Sequence, residues 1–274
     1  MSELAGLNTL LFGPPGTGKT YAIASLVATG LDVFYLALEN GLPSLLAAFG
    51  KAEVPANLHW HVVEPPKAGT EQFLKQVSKL NKLSYAALCE YVDPNRSNYN
   101  QMELLAMQLN NFFDMRTGKE FGSVESWGND KVLVIDGLSG VADAATKNIT
   151  GGRLMVNKNE YIAIQGQILT LVNLLARQCT CHFVLLAHID KEVDEVTGGR
   201  KLFPALPGQK AIPKLLSAFN NVVMTGREGT KWYWDTLNSQ ADLRVLSLPM
   251  QAKLAPDFRP LVTAWKNGAI KITK

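Results

Sequence analysis

A glycine-rich stretch near the start of the sequence is the clearest chemical signal in the chain. Residues 13–20 read GPPGTGKT, which matches the pattern G-x-x-x-x-G-K-[ST] between an apolar run and a helical segment. Glycines let the backbone wrap around phosphates, so that its N–H groups and the next helix N-terminus face the anion. In this pattern the lysine reaches the β- and γ-phosphates, and the last hydroxyl ligates Mg²⁺. The stretch predicts a loop that binds a nucleoside triphosphate.

An acidic residue at the end of another apolar strand is expected to complete a magnesium site beside this loop. The segment KVLVIDGLSG (131–140) supplies Asp136 in that position. Ligands bind where the carboxyl ends of parallel strands converge, which favours a metal-binding role for this aspartate. The alternative is an aspartate that only ends the strand. We predict that Thr20 and Asp136 hold Mg²⁺. The full predicted nucleotide site is Gly13, Pro14, Pro15, Gly16, Thr17, Gly18, Lys19, Thr20 and Asp136.

Hydrolysis needs a further carboxylate that activates water. The residue after Asp136 is Gly137, so this carboxylate must come from elsewhere in the chain. Glu39 follows the apolar run VFYLA (33–37), which places it at the same sheet edge as Lys19. A solvated loop glutamate is the alternative. We expect Glu39 to be catalytic.

The hydrophobic pattern predicts the elements that position these residues. Short apolar runs alternate with helical patterns, which favours a mainly parallel sheet covered by helices on both faces. Helices are predicted over residues 19–29 and 159–178, and the second has one apolar stripe. After residue 218, short runs between turn residues predict antiparallel strands added to the sheet. The other predicted strands cover residues 8–12, 33–37, 59–63, 131–135 and 182–187.

Residues 65–130 depart from this alternation. Two helical patterns, around residues 73–80 and 102–112, precede the polar, glycine-bearing segment TGKEFGSVESWGND (117–130). We interpret this stretch as a helical insertion within a single domain that covers residues 1–274.

Composition narrows the class of protein. The chain has 274 residues, of which 47% are hydrophobic, and its apolar runs are far shorter than the roughly 20 residues of a membrane-spanning helix. We therefore expect no membrane anchor. Three cysteines are too few for a disulfide framework, and Cys179 and Cys181 are expected to be buried thiols in a reducing cytosol. The net charge of +3 permits a nucleic-acid partner without arguing for one.

Four motifs together resemble the RecA-like ATPase core. They are the phosphate loop, ALEN after the next strand, VLVIDGLSG, and FVLLAHID followed by a glycine-bearing loop and AIPKLLSAFNNVVMT. The resemblance covers residues 8–40 and 130–250. It implies a RecA-like P-loop NTPase fold that binds and hydrolyses ATP with Mg²⁺, and it maps the family's catalytic glutamate to Glu39. Within the family, the chain is most similar to short bacteriophage RecA/RadA-type recombinases and single-strand-annealing ATPases.

The resemblance also implies partners. We expect a homo-oligomer, a filament or a ring, whose ATP hydrolysis is stimulated by single-stranded DNA in phage-type recombination, annealing or replication. A replication or recombination protein is a further expected partner. The expected location is the cytoplasm, that of the bacterial host if the chain is phage-encoded. The catalytic set that the resemblance implies is Glu39, Lys19, His188 and Arg244.

Two members of that set, His188 and Arg244, also have alternative interpretations. His188 stands where RecA itself has a glutamine that senses the γ-phosphate. A histidine there could donate to the γ-phosphate and pass the nucleotide state to the following loop, and a histidine satisfied by backbone is the alternative. Arg244 lies on a late strand, where the family has cations that act on a neighbouring subunit. Arg227 and Lys231 are weaker choices, and a surface ion pair is the alternative for each.

RecA-like recombinases hold DNA with two mobile loops, which correspond here to residues 143–160 and 190–210. Both stretches contain Gly-Gly beside cations, which suits contact with a DNA backbone, and the second has an aromatic residue that could stack on a base. Acidic residues in the second stretch weaken this interpretation, and solvated surface loops are the alternative. These acidic residues are Asp190, Glu192, Asp194 and Glu195. The predicted DNA-binding residues are Lys147, Arg153, Lys158, Arg200, Lys201 and Phe203.

Two late segments carry weaker signals. The cluster KWYWD (231–235) could stack bases, but on a strand with alternating faces we expect its rings to lie half in the core and half at an interface. The basic tail, residues 257–274, is expected to be a packed strand or a partner-binding arm.

Two other functions remain alternatives. One is a RecA-fold motor or loader that a protein partner stimulates and that binds DNA weakly. The other is a nucleotide-gated binding module with little turnover. Glu39 argues against the second, because binding alone does not need a carboxylate that activates water.

Overall fold

An eight-stranded β-sheet lies at the centre of the structure. The computed structural model describes residues 6–50, 53–64, 69–93, 99–153, 155–193, 199–246 and 248–268. The first strands are short, β-rich apolar runs with nearly every residue buried, as expected where helices cover both faces of a sheet. The strands are β1 (Asn8–Gly13), β2 (Asp32–Ala37), β3 (Leu58–Val62), β4 (Lys131–Asp136), β5 (His182–Val193), β6 (Arg200–Pro204), β7 (Asn221–Glu228) and β8 (Lys231–Asp235).

The strand order determines which residues meet at the edge of the sheet. The order is β3-β2-β4-β5-β1-β7-β8, with parallel neighbours from β3 to β7 and an antiparallel β8. The eighth strand, β6, pairs antiparallel with the outer half of β5. Gly13 is aligned with His188, and Ala37 with Asp136. The carboxyl ends of β1, β2, β4 and β5 therefore open on one edge.

Helices cover both faces of this sheet. The helices are α1 (Lys19–Val27), α2 (Leu42–Ala47), α3 (Thr70–Leu80), α4 (Tyr85–Glu90), α5 (Gln101–Asn110), α6 (Leu138–Thr150), α7 (Lys158–Asn173), α8 (Ile212–Leu216) and α9 (Arg259–Lys266). Apolar residues of α1, α2 and α9 pack on one face, and those of α5, α6, α7 and α8 pack on the other. Asn157 and Glu160 form a capping box at the start of α7. A π-helical turn, Leu174–Gln178, continues α7.

The fold class predicted from the sequence is confirmed: the protein is mixed α/β with a mainly parallel central sheet and late antiparallel strands. One alternative for the basic tail is wrong. Residues 259–266 form the helix α9, not a strand, because Leu261, Val262 and Trp265 recur at helical spacing and are buried. The remaining cations of the tail, Lys271 and Lys274, lie outside the described residues.

The predicted insertion contains α3, α4 and α5, and it divides into two parts. Its second part is attached to the core, since α5 buries Leu105 and Asp114 accepts hydrogen bonds from the Trp60 backbone and Thr117. Arg116 donates to the carbonyls of Val54 and Pro55, which precede β3, and of Leu58, which begins it. By contrast, α3 exposes Phe73, Leu74 and Val77. The division of the chain into a domain and an insertion stays a prediction.

None of the helices in the described part of the chain has the length and apolar character that crossing a membrane requires. Cys179 and Cys181 are buried, Cys89 is half-buried, and none of the three is in a disulfide.

Candidate active site

The glycine-rich stretch forms the loop between β1 and α1. Gly16 and Gly18 adopt positive φ angles of 73° and 78°, a conformation that L side chains rarely take. Gly13 contacts β7 so closely that a Cβ there would lie 2.2 Å from Thr225 Oγ1. The Thr17 hydroxyl donates to Pro14 O at 2.7 Å and lies 2.7 Å from Thr225 Oγ1. Local backbone freedom and tertiary contacts therefore both fix the shape of this loop.

Lys19 is the buried cation of the loop. It begins α1, and its Nζ donates to the carbonyls of Gly13 at 2.8 Å and Pro14 at 2.9 Å. Burial lowers the pKa of Lys19 to about 8, against the opposing attraction of Asp136 and Glu39. An ammonium group held inside the loop by carbonyl oxygens is suited to meet an anion there.

Asp136 ends β4 and accepts hydrogen bonds from two hydroxyl groups. Thr20 Oγ1 donates to Asp136 Oδ2 at 2.9 Å, and the Tyr35 hydroxyl donates to the same oxygen. Burial raises the pKa of Asp136, while these two hydrogen bonds act against the rise. Burial and the neighbouring carboxylate likewise raise the pKa of Tyr35. Thr20 and Asp136, the pair predicted to hold a metal, are therefore in contact. Hydroxyl and carboxylate oxygens are ligands that suit Mg²⁺.

Glu39 lies just after β2 and is held by two groups. Its Oε1 accepts a hydrogen bond from the Gly140 backbone at 3.2 Å, and its Oε2 accepts one from His188 Nε2 at 3.1 Å. Gly137 leaves the room that this carboxylate occupies, since a Cβ at that position would lie 2.8 Å from Glu39 Oε1. Gly137 thus leaves room beside Asp136, and the carboxylate that fills it belongs to Glu39, which follows the adjacent strand β2.

A single cavity of about 550 Å³ joins these groups. A volume of this size is typical of small-ligand sites. The loop, both carboxylates and the imidazole all line it, so it combines an anion-binding loop, oxygen ligands for a cation and a carboxylate able to activate water. Members of the predicted nucleotide and catalytic sets that line it are Pro15, Gly16, Gly18, Lys19, Thr20, Glu39, Asp136 and His188.

Two aromatic residues of this cavity were not predicted. Trp232, on β8, donates from Nε1 to Gly16 O at 3.0 Å, and its ring packs on the Cα of Gly18. Tyr21, the residue after the loop, has its ring centre 4.8 Å from that of Trp232. Within KWYWD, Trp234 is buried, whereas Trp232 and Tyr233 are both partly exposed. The contact of Trp232 with the phosphate loop depends on the β7–β8 hairpin, which the sequence does not position.

Tyr35 and Gly41 are two further residues that sequence reasoning missed. A Cβ on Gly41 would lie 2.1 Å from Asp136 Oδ2 and 2.5 Å from the Tyr35 hydroxyl oxygen. The only signal for Tyr35 is a polar hydroxyl within the otherwise apolar run of β2. The cavity also receives Asn40, Ser44 and Ala47 from the segment after β2.

The first predicted DNA-binding stretch is mainly helical, so the prediction of a mobile loop over residues 143–160 is wrong for most of its length. Residues 143–150 belong to α6, and Gly151 ends that helix with φ 62°. Lys147 forms an ion pair with Asp143 at 2.6 Å, and Arg153 forms one with Glu160. Lys158 is exposed at the start of α7.

The second stretch is a β-hairpin, since β5 runs out to Val193 and β6 returns beside it. Phe203 is only 4% exposed and packs in the core, so the prediction that it stacks on a base does not fit its position. Arg200 and Lys201 are both exposed, and Lys201 pairs with Asp242 at 3.0 Å. The acidic residues Asp194 and Glu195 lie outside the described residues.

Arg244 is separate from the cavity of its own chain. It bridges to Val222, which is aligned with Leu10 inside the sheet, and its Nη1 donates to Phe219 O at 3.4 Å. Arg227 is exposed, and its Nε donates to Gly229 O at 2.7 Å. A role for Arg244 in a neighbouring subunit stays a prediction.

Comparison with known proteins finds similarity only among solved structures. No protein-family model matches the sequence, and no curated protein does. Similar structures include the RadB recombinase (TM-score 0.46, 11% identity, 92% of this chain and 86% of that chain). Two others are the ATP synthase subunit NeqB from Nanoarcheaum equitans (0.39, 10%, 82% and 47%) and the flagellar accessory protein FlaH from Methanocaldococcus jannaschii (0.31, 9%, 85% and 77%). These identities are too low to imply a shared function.

Proposed function

We propose that this protein is a Mg²⁺-dependent ATPase that acts on single-stranded DNA as a homo-oligomer. One observation carries the ATPase part: Lys19, Thr20, Asp136 and Glu39 line one cavity at the carboxyl edge of the sheet. In the proposed reaction Lys19 and the loop hold the phosphates, Thr20 and Asp136 hold Mg²⁺, and Glu39 takes a proton from the attacking water. Its position 3.1 Å from His188 supports that role, because the imidazole orients the carboxylate.

The β5–β6 hairpin is the proposed link between hydrolysis and DNA. His188 contacts Glu39 at the point where β5 leaves β1, and the same strand continues to Val193 in the hairpin. If a group on the γ-phosphate side of the cavity displaces His188, it would therefore also displace the start of the β5–β6 hairpin. Exposed cations support contact with a DNA backbone there and on α7, namely Arg200 and Lys158.

ATP hydrolysis by the purified protein, with and without single-stranded DNA over a salt series, tests this proposal. Lys19→Ala is the blank. DNA should stimulate turnover, and the stimulation should fade as salt rises, because each phosphate contact contributes a slope of roughly 0.7 in log affinity against log salt. Arg200→Ala should reduce the stimulation and flatten the slope.

The matched control is Lys119→Ala, which removes an exposed cation outside the hairpin and the cavity. It should leave both turnover and stimulation unchanged. Equal losses in Arg200→Ala and Lys119→Ala would contradict a specific role for the hairpin. Turnover that persists in Lys19→Ala would contradict the ATPase site itself.

One observation favours a second function, a RecA-fold motor or loader stimulated by a protein. Helix α3 presents Phe73 and Leu74 with 62% and 64% of their surface exposed, and Val77 lies on the same helix. Large exposed apolar side chains that lie together on one helix are typical of protein contact surfaces. Basal turnover that Lys19→Ala abolishes but DNA does not stimulate would favour this function.

A further inference from the structure

The strand order separates the cavity into two chemically different ends. β5, β4 and β2 lie on one side of β1, whereas β7 and β8 lie on the other side. The cavity-lining carboxylates and the imidazole come from the first group or from the residues just after its strands. Trp232 comes from β8. The phosphate loop, which follows β1, therefore lies between a polar, acidic end and an aromatic end.

The aromatic end is fixed to the loop. The Trp232 ring packs on Gly18 so closely that a Cβ there would lie 2.6 Å from ring atom Cδ2, and Nε1 donates to Gly16 O. Tyr21 remains 44% exposed beside this indole, with the two rings inclined at 53°. Both residues line the same cavity as Lys19 and Thr20. A flat molecule that enters at this end would meet aromatic surface while its anionic part reaches the loop.

We propose that Trp232 and Tyr21 form the subsite for the nucleobase and hold it by stacking. This inference rests on the proposed nucleotide-binding function and extends it. A nucleoside triphosphate is anionic at one end and aromatic at the other, and the cavity has the same polarity along its length. With the phosphates on the loop and the terminal phosphate towards Glu39 and Asp136, the base points towards β8.

Stacking also determines the selectivity of this subsite. Every base has a π-face, so an aromatic platform discriminates weakly between bases. Polar side chains that could read a base edge line the opposite end of the cavity, on β4, on β5 and in the segment after β2. ATP and GTP should therefore bind with affinities within a few-fold of each other.

The competing explanation is that Trp232 only maintains the shape of the phosphate loop. Inorganic tripolyphosphate separates the two explanations, because it carries the phosphates and lacks the base. Binding of non-hydrolysable ATP and GTP analogues and of Mg²⁺-tripolyphosphate is measured by calorimetry on the full chain. The proteins compared are the unaltered chain, Trp232→Ala, Trp232→Phe and Tyr21→Ala, with Tyr85→Ala as control because its side chain is 74% exposed on α4.

The expected result is a loss of about tenfold or more in affinity for both nucleotides in Trp232→Ala, with tripolyphosphate affinity within twofold. Trp232→Phe, which keeps a ring and loses the bond to Gly16, should retain most of the affinity. Tyr21→Ala removes an exposed ring and should show the same pattern as Trp232→Ala with a smaller loss.

Two outcomes would overturn the subsite alone. Equal losses for nucleotide and tripolyphosphate would assign Trp232 to the shape of the loop, and unchanged nucleotide affinity in both alanine variants would place the base elsewhere. A different outcome concerns the proposed function. If the unaltered chain and Lys19→Ala bind ATP equally, or neither binds it, the nucleotide site itself is wrong and the subsite fails with it.

Discussion

The carboxylate of Glu39 occupies the space that a side chain at position 137 would need, because a Cβ on Gly137 would lie 2.8 Å from Glu39 Oε1. The same carboxylate accepts hydrogen bonds from Gly140 and His188. The glycine directly after Asp136 therefore leaves space for the carboxylate of Glu39, which follows β2. The two residues form one unit, although they lie 98 positions apart in the sequence.

Gly137→Ala should lower ATP turnover by up to about 100-fold and leave ATP binding intact. The added methyl group displaces the end of a flexible side chain, so the fold tolerates it while the carboxylate leaves its position. Single-turnover kinetics and nucleotide titration measure the two effects. The control is Gly166→Ala, where a Cβ would have no neighbour within 4 Å. Equal turnover in the two variants would contradict the fit between Gly137 and Glu39.

Glu39→Gln should reduce turnover by about 10²- to 10⁴-fold, the usual contribution of a general base, with ATP affinity little changed. The amide retains the size of the carboxylate and one acceptor oxygen for the Gly140 N–H, but its NH₂ group cannot accept a hydrogen bond from His188 or take the proton from water. Steady-state turnover and calorimetric ATP binding are the measurements. Glu103→Gln, at an exposed position of α5, is the control. Unchanged turnover in Glu39→Gln would remove Glu39 from the mechanism.

Much of the fold was predictable because its strands are buried on both sides. Runs such as those of β1, β4 and the first half of β5 must be almost wholly apolar, and the helices between them show one apolar stripe. Parallel strands also bring their carboxyl ends together. For that reason Glu39 and Asp136 could be placed beside the phosphate loop from their order in the sequence.

Contacts that depend on long-range packing could not be predicted. Trp232 meets Gly16 and Gly18 only because the β7–β8 hairpin folds over the loop, and no periodicity reports that. Gly151 was interpreted as part of a mobile loop, yet a glycine with φ 62° is also a helix terminator, and it ends α6 here. Phe203 lies in the buried half of β6, beside buried Pro204, and its burial follows from a hairpin that was predicted as a loop.

Tyr35→Phe should raise the Mg²⁺ concentration needed for half-maximal ATPase activity about tenfold. The Tyr35 hydroxyl donates to Asp136 Oδ2, and partners of this kind orient metal-binding carboxylates and stabilise their charge. Phenylalanine keeps the ring in the core and removes only that hydrogen bond. A Mg²⁺ titration of turnover at saturating ATP measures the effect.

Tyr161→Phe is the control for this substitution, because its side chain is 43% exposed on α7 and outside the cavity. An unchanged Mg²⁺ requirement in Tyr35→Phe would show that Asp136 does not depend on this hydroxyl for its place near the metal.

His182 should make folding stability sensitive to mildly acidic pH. The buried imidazole accepts from the Leu7 backbone at Nδ1 and donates from Nε2 to Asn129 O, an arrangement that only the neutral ring allows. Burial lowers the pKa of His182 to about 4, and the nearby charge of Lys266 acts in the same direction against the Asn129 hydrogen bond. Trp265 covers one side of the ring.

Because the folded pKa is below the unfolded value of 6.5, the unfolded chain binds this proton more readily, and the free energy of unfolding should fall as pH drops from about 6.5 towards about 4. The full loss from this group is about 3 kcal/mol. Urea denaturation across this range measures it. Other groups titrate in the same window, so the comparison is with His182→Gln, which stays neutral and should be less stable at pH 8 but lose less stability on acidification. Parallel pH dependences for the two proteins would contradict the assignment to His182.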